Sequence, residues 1–120
     1  MSIPAAMGVI GGGRMGAGIA HAFALAGSEV VVVERDPAAA ERARESIQQS
    51  LARSAEKGVI ALGSVSTATS VGELASCTLV VEAVFEDRDA KVAALRAAEA
   101  VLAPEATIAS NTSSISIDDL

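Results

Sequence analysis

This sequence predicts an α/β fold, a doubly wound parallel sheet in a single domain, and three observations carry that expectation. Short β-branched apolar runs alternate with longer segments of helical periodicity, which is the pattern of strand–helix–strand units. The runs are nearly continuous, as in strands buried on both faces, instead of alternating between apolar and polar residues. Between the first run and the first helical segment stands a glycine cluster, Gly11-Gly12-Gly13-Arg14-Met15-Gly16, that turns strand into helix.

Taken in order, residues 7–10 form the first strand, and a helix follows on which Met15, Ile19, Phe23 and Ala26 share a face. Gly27 and Ser28 stop it, and residues 29–33 form a second strand ending at Glu34. Asp36 and Pro37 then stand as N-cap and first residue of a second helix, which runs through Ile47 and Leu51 towards Lys57-Gly58. Its charged residues Glu41, Arg42, Arg44, Glu45 and Arg53 read as a solvated face. Glycine, serine and threonine become frequent over residues 58–76, giving a loop or short helical excursion, a brief strand at 65–68 and a turn at 70–73. Residues 79–83 are a third buried-strand run carrying an acid, Glu82, which reads as a structural carboxylate held by neighbouring N–H groups. A helix over 88–102 is closed by Pro104, and a last strand at 107–109 leads into Ser110-Asn111-Thr112-Ser113-Ser114.

Composition narrows the function. A chain of 120 residues, 51% hydrophobic, has material for one core. A net charge of −6 and only two aromatic residues, both phenylalanine, remove the electrostatic and stacking basis for binding nucleic acid. No apolar run approaches the roughly 20 residues of a membrane span, and residues 1–6 lack the features of a signal peptide, so a cytoplasmic location is expected. Cys77, the single cysteine, reads as a small core residue and has no partner for an internal disulfide. No Cys/His cluster has metal-ligand spacing, and no metal site is expected.

The glycine cluster carries chemistry. Gly11-x-Gly13-x-x-Gly16 fits the dinucleotide-binding pattern: Gly11 for the tight turn, Gly13 for close approach of backbone to a pyrophosphate, Gly16 for close packing of helix on sheet. The first-turn amides of the helix and the positive end of its dipole then face the anion, so no lysine is needed. Glu34 lies about 20 residues beyond the turn, where this pattern places a carboxylate for the adenosine ribose hydroxyls. The fold is therefore expected to be of the Rossmann type. The last polar run, 110–114, follows a strand and so stands at the sheet's carboxyl edge, where its hydroxyls and amide can meet a developing alkoxide. On spacing alone the reading as a turn or helix cap comes first.

Three pieces together resemble the NAD-binding domain of the L-3-hydroxyacyl-CoA dehydrogenases, including the short-chain 3-hydroxybutyryl-CoA enzymes. They are Val9-Ile10-Gly11-Gly12-Gly13-Arg14-Met15-Gly16-Ala17-Gly18-Ile19-Ala20, then Val81-Glu82-Ala83-Val84-Phe85-Glu86-Asp87 with Lys91, then Ser110-Asn111-Thr112-Ser113-Ser114. The first occurs in many nucleotide-binding proteins; the second and third, in this order, are more specific, and the three span nearly the whole chain. The resemblance implies transfer of hydride between NAD and C3 of a 3-hydroxyacyl thioester, in fatty acid metabolism. It implies that Glu34 binds ribose and that Met15, Glu86 and Lys91 approach the cofactor. It further implies that Ser113 meets the substrate's C3 oxygen near the nicotinamide, with Asn111 beside it. On the residues alone, Glu86 and Lys91 read as an exposed pair at the start of a helix, worth under about 1 kcal/mol.

Two expectations come from electrostatics. Arg14 stands in the first turn of a helix, where a cation is disfavoured by roughly 0.3 to 1 kcal/mol unless an anion is close. It either leans over a bound pyrophosphate or faces solvent. Glu34 facing the ribose would repel a 2′-phosphate by several kcal/mol at about 4 Å and an effective dielectric near 20, so NADH is expected to bind at least about tenfold tighter than NADPH. Arg35, next in sequence, is the residue that could accept such a phosphate.

The family's catalytic base is a histidine, oriented by a glutamate, located after the serine motif. His21, the only histidine here, falls on the first helix and reads as a packing or surface residue. The whole chain, 1–120, is thus expected to be an NAD-binding domain without the helical domain that covers acyl-CoA and forms the family's dimer interface. It is expected to bind NAD and to turn over little alone, with a longer form acting as a homodimer on an acyl-CoA or acyl-carrier thioester. Alternatives within reach of the same motifs are a non-catalytic NAD(H)-binding module and a dehydrogenase acting on a sugar acid or carrier-protein thioester.

Overall fold

The computed structural model describes residues 3–11, 13–84 and 88–110. Five parallel strands, β1 (Ala6–Ile10), β2 (Glu29–Val33), β3 (Ser64–Ala68), β4 (Leu79–Glu82) and β5 (Thr107–Ser110), form one sheet in the order β3-β2-β1-β4-β5. Helices α1 (Arg14–Ala26), α2 (Pro37–Glu56) and α3 (Arg88–Val101) connect them, with a short 3-10 helix at Val71–Leu74. The chain builds outward from β1 to β3, then crosses back to place β4 on the other side of β1. That reversal opens a crevice at the carboxyl ends of β1 and β4, where ligands bind in sheets of this kind.

Side-chain alternation divides the core between two faces. Met7, Val9, Val30 and Val32 pack with Ala17, Ala20, Ala24, Ala43 and Ile47 under α1 and α2. Ile10, Val33 and Val80 pack with Leu74, Cys77 and Ala98 under the 3-10 helix and α3. Full burial of a side chain the size of Ile47 or Met7 contributes on the order of 1.5 to 3 kcal/mol. Cys77 is a core residue, as its sequence context suggests, and burial pushes its thiol pKa up.

Helix ends follow the sequence signals. Asp36 caps α2 by accepting the Ala39 N–H at 2.8 Å, with Pro37 as first helical residue. Gly27 closes α1 at φ 122°, its N–H directed to Phe23 and Ala24 carbonyls. Ser28 is buried because its hydroxyl donates to the Pro4 carbonyl at 2.6 Å. Among the described residues, no helix is long and apolar enough to cross a membrane.

One face assignment needs correction. The residues of α1 buried against the sheet are Gly16, Ala17, Ala20 and Ala24; Ile19 and Phe23 pack at the margin of that core, while Met15 is 45% exposed and Ala26 is exposed. The helix lies close to β1, so small side chains occupy the contact and larger ones flank it. Apolar size is not the guide when backbone approach sets the spacing.

Candidate functional site

The turn after β1 is fixed by main-chain hydrogen bonds between strand ends. Gly11 N–H donates to the Val33 carbonyl at 2.9 Å, Glu34 N–H to Ala68 at 2.9 Å and Ala83 N–H to Ile10 at 2.9 Å, which locks the carboxyl ends of β3, β2, β1 and β4 into one rim. Gly11 has φ 96°, and a Cβ on it would lie 3.1 Å from the Ala83 carbonyl oxygen. Both its conformation and its surroundings therefore call for glycine. A Cβ on Gly16 would run into the Gly11 carbonyl oxygen, so the second half of the turn is equally tight.

Gly13 is the N-cap of α1, in extended conformation and with no side-chain capping bond. The contrast with α2 is informative. There a carboxylate caps the helix; here the cap is a residue with no side chain, and no acid stands in the first turn. The amides at the start of α1 are left for an external anion, reinforced by the helix dipole.

A cleft of about 830 Å³, open to solvent, runs along the rim. Ile10, Gly11, Gly13 and Arg14 line it at the α1 end; Val33, Glu34 and Arg35 line it after β2; Thr69 and Val71 follow β3; Ala83, Val84, Ala90, Ala93 and Ala94 form the β4–α3 wall. Its remaining wall is a stripe of α2, Ala39, Arg42, Ala43 and Ser46. Volume, apolar lining and few charged groups are those of a small-molecule or cofactor site. A dinucleotide fits the residues present: a turn so tight that Gly11 and Gly16 admit no side chain, first-turn amides for the diphosphate, and a carboxylate at the end of the neighbouring strand.

Gly11, Gly13, Arg14 and Glu34 thus meet in one cleft, with Gly16 beneath the turn and Met15 exposed beside it. Glu86, Asn111 and Ser113 lie outside the described residues. Lys91 requires a correction. It is not part of an exposed pair: its side chain is 12% exposed, and its ammonium stands 3.0 Å from Glu82 Oε2 and also donates to the Val84 carbonyl. Burial turns a helix-surface cation into a tie between α3 and the end of β4.

Glu82 is held by more than backbone. Its Oε2 also accepts the Val84 N–H at 2.6 Å, and its Oε1 accepts the Ser110 hydroxyl at 2.7 Å, so three donors from three segments converge on a fully buried carboxylate. The register places Ser110 beside Glu82 across the β4–β5 ladder. Ser110, read from sequence as one of the hydroxyls turned to a ligand, donates inward instead. His21 donates or accepts with Ser54 at 2.9 Å, linking α1 to α2 as a packing residue.

A profile of the 3-hydroxyacyl-CoA dehydrogenase NAD binding domain matches residues 6–120. The chain belongs to this family. It is 40% identical over 121 residues to a 3-hydroxybutyryl-CoA dehydrogenase of Bradyrhizobium diazoefficiens, covering 95% of this chain and 41% of the relative. A peroxisomal bifunctional enzyme of Cavia porcellus is 39% identical over 120 residues, covering 95% of this chain and 16% of that protein. The crystal structure of the (S)-3-hydroxybutyryl-CoA dehydrogenase from Ralstonia eutropha superposes with a TM-score of 0.83 at 33% identity, over 95% of this chain and 43% of that one. The chain therefore spans about two fifths of the length of these 3-hydroxybutyryl-CoA dehydrogenases.

As a 3-hydroxyacyl-CoA dehydrogenase NAD-binding domain, the chain has one cleft residue that its sequence concealed. Arg42 belongs by composition to the solvated face of α2, yet it lines the cleft. The available signal was helical spacing: Arg42 falls three residues after Ala39 and four before Ser46, on the stripe that turns towards the carboxyl edge.

Proposed function

We propose that this chain is the nucleotide half of a dehydrogenase that interconverts 3-hydroxyacyl-CoA and 3-ketoacyl-CoA, of the 3-hydroxybutyryl-CoA type. The observation that carries the reading is a glycine-capped helix start that shares one cleft with Glu34. NAD, when bound, supplies the hydride acceptor or donor. The chain's residues bind and orient it: the amides of α1 and Arg14 meet the diphosphate, Glu34 accepts from the adenosine ribose hydroxyls, and Met15, Glu86 and Lys91 stand near the cofactor. Ser113 donates to the C3 oxygen of the substrate, and Asn111 fixes that oxygen beside it. An acyl-CoA partner is supported by the names of the relatives. Homodimer formation by a longer form, a cytoplasmic location and a place in fatty acid metabolism belong to the same proposal.

The test is NADH fluorescence titration of this chain and of Gly13→Val, together with acetoacetyl-CoA reduction by a chain extended through the C-terminal region found in the relatives. Saturable NADH binding that is lost in Gly13→Val, and turnover in the extended chain, are expected. Undiminished NADH affinity in Gly13→Val overturns the placement of the diphosphate. An extended chain that binds NADH but leaves acetoacetyl-CoA unreduced overturns the reaction.

A further inference from the structure

Among the described residues, Glu82 is the only charged residue that is fully buried, and no step described above uses it. Stability alone does not call for a carboxylate there. Side-chain alternation puts Glu82 on the same face of β4 as Val80, which packs with Leu74, Cys77 and Ala98. An aliphatic side chain would extend that core, and replacing a buried ion pair by apolar residues is often neutral or stabilising. What a fully satisfied buried network supplies instead is one fixed geometry.

The two oxygens of Glu82 serve different segments. Oε2 takes the Lys91 ammonium at 3.0 Å and the Val84 N–H at 2.6 Å. Both belong to the cleft side: Val84 lines the cleft, and Lys91 follows Ala90, which lines it too, on α3. Oε1 takes the Ser110 hydroxyl at 2.7 Å, the short distance of a charge-assisted bond. Ser110 is the last residue of β5, a four-residue strand at the end of the sheet order, and lies beside Glu82 in the β4–β5 register. The polar run that contains Ser113 begins at this residue. One carboxylate therefore stands between the helix that walls the cleft and the point where that run leaves the sheet.

We infer that Glu82 is a positioning residue for hydride transfer: through Ser110 it sets the exit of the 110–114 run from β5, relative to the cleft wall that it holds through Lys91 and Val84. The inference rests on the reaction proposed above, in which Ser113 meets the C3 oxygen. The end of so short a strand has little pairing of its own to resist fraying, and the hydroxyl tie supplies the restraint. Transfer between nicotinamide and C3 needs near-attack geometry, and a misplacement on the order of 1 Å can cost about a hundredfold in rate.

The experiment uses the chain extended through the C-terminal region found in the relatives. It measures thermal melting, the NADH dissociation constant, and kcat and KM for acetoacetyl-CoA reduction in the parent, Ser110→Ala, Ser110→Thr, Glu82→Gln and Glu82→Gln/Ser110→Ala. Ser110→Ala removes the tie to Oε1 and leaves the Lys91 pair in place. It is expected to lower kcat about tenfold or more, with KM and NADH affinity within about threefold of the parent, a split that loss of fold alone does not produce. Ser110→Thr keeps the hydroxyl and is expected to restore most of kcat. Because the two residues act through one contact, the double variant is expected to lose no more than about twofold beyond Glu82→Gln. If Glu82→Gln does not fold, the two Ser110 variants decide alone. A folded Ser110→Ala chain with the kcat of the parent overturns the inference, as does a fall in kcat that Ser110→Thr shares in full. A parent chain that binds NADH but leaves acetoacetyl-CoA unreduced overturns the reaction itself, and with it the inference.

Discussion

Lys91 Nζ stands 3.0 Å from Glu82 Oε2, joining the first turn of α3 to the end of β4 beneath the cleft wall. A cation so early in a helix opposes the dipole, and the buried carboxylate offsets that. The pair sits behind Ala83 and Val84, which line the cleft, so its geometry sets how far α3 stands from the sheet at the site.

Removing one partner leaves a buried charge without its counterion. Lys91→Met is expected to destabilise the chain by about 3 to 5 kcal/mol. Thermal melting by circular dichroism should show a fall of roughly 10 °C or more. Lys91→Met/Glu82→Gln should lose less than the sum of the single variants, because the two side chains act as one unit. A Lys91→Met chain melting within about 2 °C of the parent would mean that the pair contributes nothing net.

Two glycines of α1, two residues apart, should respond in opposite directions to alanine. A Cβ at Gly16 meets the Gly11 carbonyl oxygen, whereas one at Gly18 has nothing within 4 Å. Gly16→Ala should cost about 1 to 3 kcal/mol and weaken NADH binding, since the phosphate turn must shift. Gly18→Ala should stabilise by roughly 0.5 to 1 kcal/mol through helix propensity. Equal melting temperatures for the two variants would contradict the close packing of turn and helix.

Arg14 is exposed and lines the cleft at the start of α1. Arg14→Ala should weaken NADH binding about two- to fivefold at low salt, corresponding to a few tenths to 1 kcal/mol, with the difference fading as salt is raised. Identical affinities at low salt would leave the side chain simply facing solvent.

The Asp36 cap gives a pH signature. Its folded carboxyl is held below the usual range, chiefly by the Ala39 N–H, so the folded state favours the ionised form. The resulting stability is present above the unfolded pKa of about 3.9 and is lost as pH falls through the lower folded value. Asp36→Ala should therefore melt below the parent at pH 7, and the gap should close below about pH 4. A gap independent of pH would place the effect in packing instead of the cap.

Much of this molecule is legible in local sequence. The strand boundaries at 29–33, the Asp36-Pro37 helix start and the Gly27 stop depend on backbone chemistry within a few residues, and the structure agrees with them. The glycine turn and Glu34 share a site because a parallel order of strands brings every strand's carboxyl end to one edge. Residue spacing could not say which face of α1 is pressed to β1, because that depends on how closely two backbones approach.

What the sequence determined by itself is the alternation of strand and helix, the helix start left uncapped by any side chain, and the acid at the end of the second strand. Only the tertiary structure decided that Lys91 turns inward to Glu82, that Ser110 donates to the same carboxylate, and that Arg42 borders the cleft. The reason is physical: backbone propensity and capping act over one turn or one strand, whereas the partner of a buried charge, or the wall on which a helix stripe falls, is fixed by segments 9 to 28 residues apart that meet only when the sheet has formed.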